Sequence, residues 1–372
     1  MSKEFVKRFE GQWLGQYSGT NSGLALLDLD LEDDHLLGSA YAFDNDDSIP
    51  SCAAQVDFTP NANSVNLNLR PVPINPRYPQ VMSLTEVEGE FPQKLDLRLK
   101  VEASSLVGSW ETDIETSGNL LLQKSRANSK SEYLPDEGTL GWTEFQNLVS
   151  DLSLAPYRYI FRGQSKPWRL RTSFHRTRRK DLFRYWDEDV PRVRHASVGA
   201  TNQLFDPQVP EHNGAFMHLL QHHGYPTPLL DWSYSPYIAA FFAYSSLSDQ
   251  GRERGPVRIF MFDAKSWRHN YNQLNNIIFC RPHFSILEPY AIGNPRALPQ
   301  QSIGTITNLD DIETYIKFRE NERGTRYLRV FDLDPSDKPK ALKQLGLMGI
   351  SYGSLFPGID GVCKEYRERH FG

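Results

Sequence analysis

Over the first 125 residues apolar and polar positions alternate in short runs. LALLDLDL (24–31), LLGSAYAF (36–43), SVNLNLR (64–70), KLDLRLKV (94–101) and GNLLLQK (118–124) carry, several of them, an apolar residue at every second position. That is the repeat of a strand with one buried face. Clusters of Asn, Asp, Gly, Ser and Pro separate the runs and read as turns. No helical period appears before Leu134. Eight or nine strands at this spacing predict an all-β unit over 1–125, a closed meander barrel or a sandwich. Gly11-Gln12-Trp13 and Gly108-Ser109-Trp110 each open a run that continues through Ser-Gly into leucines. The echo predicts that the first and last hairpins meet as the sheet closes.

The period changes further on. Residues 126–138 are polar and turn-rich and read as a linker. In GWTEFQNLVSDL (141–152), Trp142, Phe145, Leu148 and Leu152 share a helix face. YRYIF (157–161), PVRIFMFD (256–263) and PQQSIGTIT (299–307) read as strands. DIETYIKFRENE (311–322) and PKALKQLGLMG (339–349) read as helices. Strands and helices interleave, so 139–372 is expected to be an α+β domain. A chain of 372 residues exceeds one ordinary core, which agrees with two units.

Charge sharpens the division. Residues 1–125 hold 19 acidic and 9 basic residues, a net of −10, and the rest holds 27 and 32, a net of +5. No Lys or Arg occurs between Phe9 and Leu69, whereas 161–194 carries 11 Lys and Arg against 4 acids. Either the two units meet different partners, or they attract each other, or both faces are simply solvated. The acidic unit is expected to take a protein partner or a small ligand. A basic segment interleaved with Trp168, Phe174, Phe183, Tyr185 and Trp186 can track nucleic acid over 166–194 or form a solvated helix. Cys52, Cys280 and Cys363 make no C-x-x-C pair, which argues against a disulfide framework and fits a cytoplasmic protein. No signal-like or membrane-spanning apolar run is present.

Two stretches carry candidate chemistry. In YIFRGQSKPW (159–168) a strand delivers Arg162 at its end, a five-donor fork suited to a phosphate or carboxylate. Gly163 allows a ligand or another strand close to the backbone. In MHLLQHHGYPTPLLDWSYSPYIAAFFA (217–243) a helix is followed by Gly224 at its end, a strand PLLDW, and Ser235-Pro236 opening a buried helix. Asp231 beside that helix needs a partner, and Arg162 and His222 are the candidates. His218 and His222 stand one helical turn apart, but no H-E-x-x-H glutamate lies between them, so no metal is expected.

These stretches resemble the FRG domain family, named for the triplet found here as Phe161-Arg162-Gly163 and followed by Gln164. Its second motif is matched by Gln221, His222, Gly224, Pro226, Thr227, Leu229, Leu230, Asp231 and Trp232, with Ser233 for the usual Thr. Pro295-Arg296, Gln300-Gln301 and Gly304 resemble a third block, and Gly349-Ile350, Leu355-Phe356-Pro357 and Asp360-Gly361 a fourth. Pro228 stands where the family carries Arg. The resemblance covers 139–372; the G-x-W opening of the first unit resembles lipocalin-like barrels on two residues.

The resemblance implies a bacterial defence or toxin-type effector. The layout is also similar to ADP-ribosyltransferases, which implies a nucleotide substrate, NAD foremost, and NAD-glycohydrolase or transferase chemistry. By that likeness Arg162, His222, Asp231 and Gln301 would be catalytic. Gly163, Gln164, Thr227, Trp232, Ser233 and Gln300 would bind the ligand. The third strand lacks the glutamate that such chemistry uses, so Asp231 or Glu288 would have to replace it. A non-catalytic binding module and a nuclease are the alternatives.

Overall fold

The computed structural model describes residues 2–76, 80–152, 157–201, 203–207, 209–247, 255–274, 276 and 279–371. The first unit opens with helix α1 (Ser2–Phe9), then strands β1 (Gly11–Gly19), β2 (Gly23–Glu32), β3 (His35–Asp44), β4 (Ser51–Phe58), β5 (Ser64–Leu69), β6 (Val72–Ile74), β7 (Leu95–Glu102), β8 (Ser105–Thr112) and β9 (Ser117–Lys124). They form one curled antiparallel sheet in the order β5-β7-β8-β9-β1-β2-β3-β4-β6. The first strand pairs with the last, Trp13 opposite Lys124 and Gly19 opposite Gly118, as the echoed G-x-W hairpins imply.

Two expectations need correction. The sheet is neither a sandwich nor closed: β4 approaches β5, but no ladder joins them among the described residues, leaving a half-barrel. A helix also precedes Leu134. Val6 and Phe9, one turn apart on α1, are buried against Trp13, Leu29, Leu36 and Phe58 and stop one end of the curl. Eight residues are too few for a helical period to stand out from the polar residues between them.

The second unit comprises β10 (Thr139–Leu140), α2 (Trp142–Leu152), β11 (Tyr159–Gln164), α3 (Leu182–Arg184), α4 (Val190–Thr201), α5 (Pro210–His222), β12 (Leu229–Ser233), α6 (Pro236–Ser245), β13 (Val257–Asp263), α7 (Ala264–Asn270), β14 (Phe284–Leu287), β15 (Ser302–Thr307), α8 (Ile312–Arg323), β16 (Leu328–Leu333), α9 (Lys338–Leu347), α10 (Tyr352–Leu355) and α11 (Ile359–Phe371). Its sheet runs β10-β16-β13-β11-β12-β15-β14. β11 pairs with β13 along its whole length, yet meets β12 only at Phe161 and Ser233. The sheet therefore parts beyond that point, and Arg162 and Asp231 lie where it opens. Helices α2, α6 and α9 cover one face with Trp142, Phe145, Phe241 and Leu345. Trp232, Phe262, Trp267 and Ile316 fill the other. Local chemistry sets α6: Ser235 caps it by accepting from the Ile238 N–H, and Pro236 occupies its first turn.

The charge division resolves as attraction between the units. Asp30, buried on β2, accepts from the Lys180 N–H and pairs with Arg179 at 3.0 Å and Arg184 at 3.8 Å. Arg184 also reaches Glu32 at 2.8 Å, and Ser39 donates to Asp181 at 2.8 Å. Gln12 clamps the other side, donating to the Asn308 carbonyl and accepting from the Asp310 N–H. Segment 126–138 packs on α8, where Ser131 donates to Glu313 and Tyr133 to Glu320. Several of the basic residues read as a nucleic-acid track spend their charge inside the molecule: Arg169 on Asp311, Arg171 on Asp310, and Lys180 on the carbonyls of His175 and Thr177. Among the described residues no helix is long and apolar enough to cross a membrane.

Candidate active site

Helix α5, strand β12, the loop before β15 and the first residue of β15 bring His218, His222, Asp231, Asn294, Arg296 and Ser302 together beside Arg162. The left-handed Gly224 (φ +83°) ends α5 and turns the chain back into β12, which sets both histidines over Asp231. Their rings lie 4.4 Å apart.

One amide decides the protons of both rings. Asn294, 7% exposed, places its Nδ2 3.0 Å from His218 Nδ1 and its Oδ1 2.8 Å from His222 Nδ1. The Arg296 N–H, which can only donate, also bonds Oδ1 at 3.2 Å, so the amide orientation is determined. His222 therefore carries its proton on Nδ1 and offers a lone pair at Nε2. His218 accepts at Nδ1 and carries its proton on Nε2, which faces Asp231 Oδ1 at 3.4 Å and Ser302 Oγ at 3.3 Å. Burial, helped by the neighbouring His218, lowers the pKa of His222, which keeps that ring a neutral base. Burial alone would raise the Asp231 carboxyl, but the contact with the His218 ring, the adjoining His222 ring and the Arg162 charge outweigh it and hold the carboxyl below its usual range. Its side chain is 38% exposed, so it faces both the histidines and the opening.

His218, His222 and Asp231 place one donor atom each within 4.8 Å of one another, close enough to consider a metal ion. Asn294 opposes that use. It holds the rings in opposite tautomers, so only one Nε2 has a lone pair while both hydrogen bonds stand. The arrangement suits proton transfer.

Arg162 Nη1 donates to the Asp231 carbonyl at 2.6 Å, while Nε is buried without a hydrogen-bond partner. Burial pulls its pKa down to about 10, the Asp231 charge opposing this and Arg176 adding to it. Arg176 is exposed, and its side chain has no hydrogen-bond or ion-pair partner among the described residues. Arg162 thus feels a second guanidinium, while Asp231 meets Arg162 through its carbonyl and His218 through its carboxylate.

The other residues singled out in the sequence make the following contacts. A Cβ on Gly163 would sit 1.9 Å from the Ala239 carbonyl, so that backbone is open to α6 and not to a ligand. Gln164 donates to the Trp168 carbonyl. Thr227, fully buried, ties α5 to residues 173–174 through Gln221 and Ser173. Trp232 is core and donates to Thr305 at 3.0 Å. Ser233 and Gln300 are buried links, Ser233 donating to the Gln300 carbonyl and Gln300 to that of Leu355. Gln301 is exposed on a left-handed backbone (φ +46°) just before β15. Glu288 is bound by Arg268 and Tyr234 and does not join the site. His218, Asn294, Arg296, Ser302 and Arg176 were missed as site residues. His218 carried a signal in its helical spacing from His222, and Arg296 in its place in the third FRG-like block.

This is a two-unit protein: an acidic half-barrel bolted to a mixed α/β unit whose parted sheet exposes a polar His-Asp-Arg cluster. Residues 157–252 match the FRG domain family, and the chain carries an FRG domain. The match contains Arg162, Arg176, His218, His222 and Asp231; Asn294 and Ser302 lie beyond it. No curated protein matches the chain. Among solved structures, a redesigned β-barrel is 9% identical (TM-score 0.24), covering 32% of this chain and 95% of that one. A second redesigned β-barrel, bound to DFHBI, is 12% identical (TM-score 0.23; 32% and 97%). A mutant of the fluorescent protein UnaG is 11% identical (TM-score 0.17; 32% and 97%).

Proposed function

We propose that the FRG unit binds a nucleotide where β11 and β12 part, and that NAD is its substrate in a glycohydrolase or ADP-ribosyl transfer reaction, as in a defence or toxin-type effector. The observation that carries this is the under-neutralised Arg162, half-buried with an idle, buried Nε and repelled by the unpaired Arg176. A pyrophosphate supplies the missing negative charge and accepts from both forks. In the reaction the bond from the ribose anomeric carbon to the nicotinamide nitrogen breaks and nicotinamide leaves with the electron pair. A water or acceptor hydroxyl forms the new C–O bond and gives its proton to His222 Nε2. Asp231, ionised, faces the positive charge that develops on the ribose and takes the part of the absent third-strand glutamate. His218 and Asn294 hold Asp231 and His222 in place.

The test is nicotinamide release from NAD, with NAD binding followed by calorimetry. Wild type is expected to bind and release. Arg162→Met is expected to lose binding, and His222→Gln to keep binding while release falls by about two orders of magnitude. Absence of both binding and release in folded wild-type protein refutes the reading. Hydrolysis of nucleic acid that needs His222 and ignores NAD would transfer the same groups to a phosphodiester, a second reading favoured by the free Nε2 beside two arginines.

A further inference from the structure

The half-barrel holds a cavity of about 350 Å³, away from Arg162, whose chemistry differs from that of the FRG site. Its origin is visible strand by strand. At the end stopped by α1, the inward positions carry Trp13, Leu29, Leu36 and Phe58 and the space is filled. At the other end the inward positions of β2, β3 and β4 carry Ala25, Ala40, Ala42, Cys52 and Ala54, and space is left. Leu97, Leu120, Leu122 and Trp110 form the opposite wall. Apolar walls of this kind give water few partners. Their volume and lining are those of a small-molecule site.

Two further features restrict the occupant. Trp110 stands edge-on to Tyr17 at 5.9 Å, and its indole Nε1 is buried with no hydrogen-bond partner. A donor left idle in an apolar wall is costly unless a ligand oxygen or nitrogen meets it. The charged residues of the lining are Asp44 and Glu90, both acidic, and no Lys or Arg occurs from Phe9 to Leu69. A carboxylate-headed lipid would meet like charge and find no cation.

We propose that this cavity is a binding site for an uncharged, largely apolar small molecule that presents one hydrogen-bond acceptor to Trp110 Nε1. The site is independent of the FRG cleft. The full chain titrated with Nile red, a neutral dye, gives saturable one-to-one binding with blue-shifted emission. 1-Dodecanol displaces the dye, and laurate is weaker by about tenfold or more. Ala42→Phe fills the space and weakens the dye by about tenfold or more while circular dichroism and the unfolding midpoint hold. Should that variant fail to fold, Trp110→Phe keeps the apolar wall, removes the donor, and weakens 1-dodecanol by about fivefold to tenfold. Non-saturable dye uptake, equal displacement by laurate and 1-dodecanol, or unchanged 1-dodecanol affinity in Trp110→Phe overturns the proposal.

Discussion

The joint between the two units should respond to pH through Asp181. This residue is buried at the start of α3. Its Oδ1 caps the N–H groups of Phe183 (2.9 Å) and Arg184 (3.3 Å), and its Oδ2 accepts from Ser39 Oγ of β3 (2.8 Å). Burial raises the carboxyl from its ordinary 3.8 to about 6; the Ser39 hydrogen bond opposes that rise and the Asp30 charge adds to it. A shift of that size is worth about 3 kcal/mol. The folded state holds the proton more tightly than the unfolded chain, so this stabilisation is complete below 3.8 and lost as pH climbs through about 6. Asp181→Asn keeps an oxygen for the cap, turns a donor toward Ser39, and has nothing to ionise. The variant should therefore be more stable than wild type by up to about 3 kcal/mol near pH 8, with the difference shrinking toward pH 4. Urea unfolding across that range, followed by tryptophan fluorescence, measures it. Asp28 and Asp30 are raised in the same direction, chiefly by burial, so wild type keeps some slope even after the substitution. A difference that is constant with pH, or that grows as pH falls, refutes the reasoning.

Other outcomes follow from the same geometry. Gly163→Ala drives a methyl into the Ala239 carbonyl and should cost about 3 kcal/mol or more by urea unfolding; a loss under about 1 kcal/mol would mean α6 can slide. Arg258 grips Asp332 at 2.7 and 2.8 Å with both side chains buried, so Arg258→Met should cost about 3–5 kcal/mol, and adding Asp332→Leu should recover most of it. Asn294→Asp lets both Nδ1 protons bond one carboxylate, frees both Nε2 lone pairs, and should create cobalt or zinc affinity that wild type lacks, read as a cobalt absorption band. Because His222 is held below its ordinary pKa, the acid limb of NAD turnover should fall below about pH 6.5, and a limb above that value would contradict a neutral His222 base.

The alternation of LALLDLDL and KLDLRLKV determined strands because period two is local, and the meeting of the two G-x-W hairpins, made through β1 and β9, was legible in their echo. The caps and turns of 217–243 were equally local: Gly224, Ser235 and Pro236 act on their neighbours. His222 and Asp231 were legible together because one FRG motif carries both, and Arg162 of a separate motif was legible as a candidate partner for Asp231. Pattern could not show whether the sheet closes, since closure depends on the gap between β4 and β5. It could not separate Gly163, Thr227 and Trp232, which serve packing, from the residues facing the opening, since neighbours far along the chain occupy their surroundings. The proton positions were beyond the sequence too. They are set by Asn294, which lies 72 residues from His222 and meets it only because β12 and β15 pair and carry the preceding loop across α5. Local order follows from adjacent residues, whereas a site's charge and protonation depend on which distant groups the fold brings within hydrogen-bond reach.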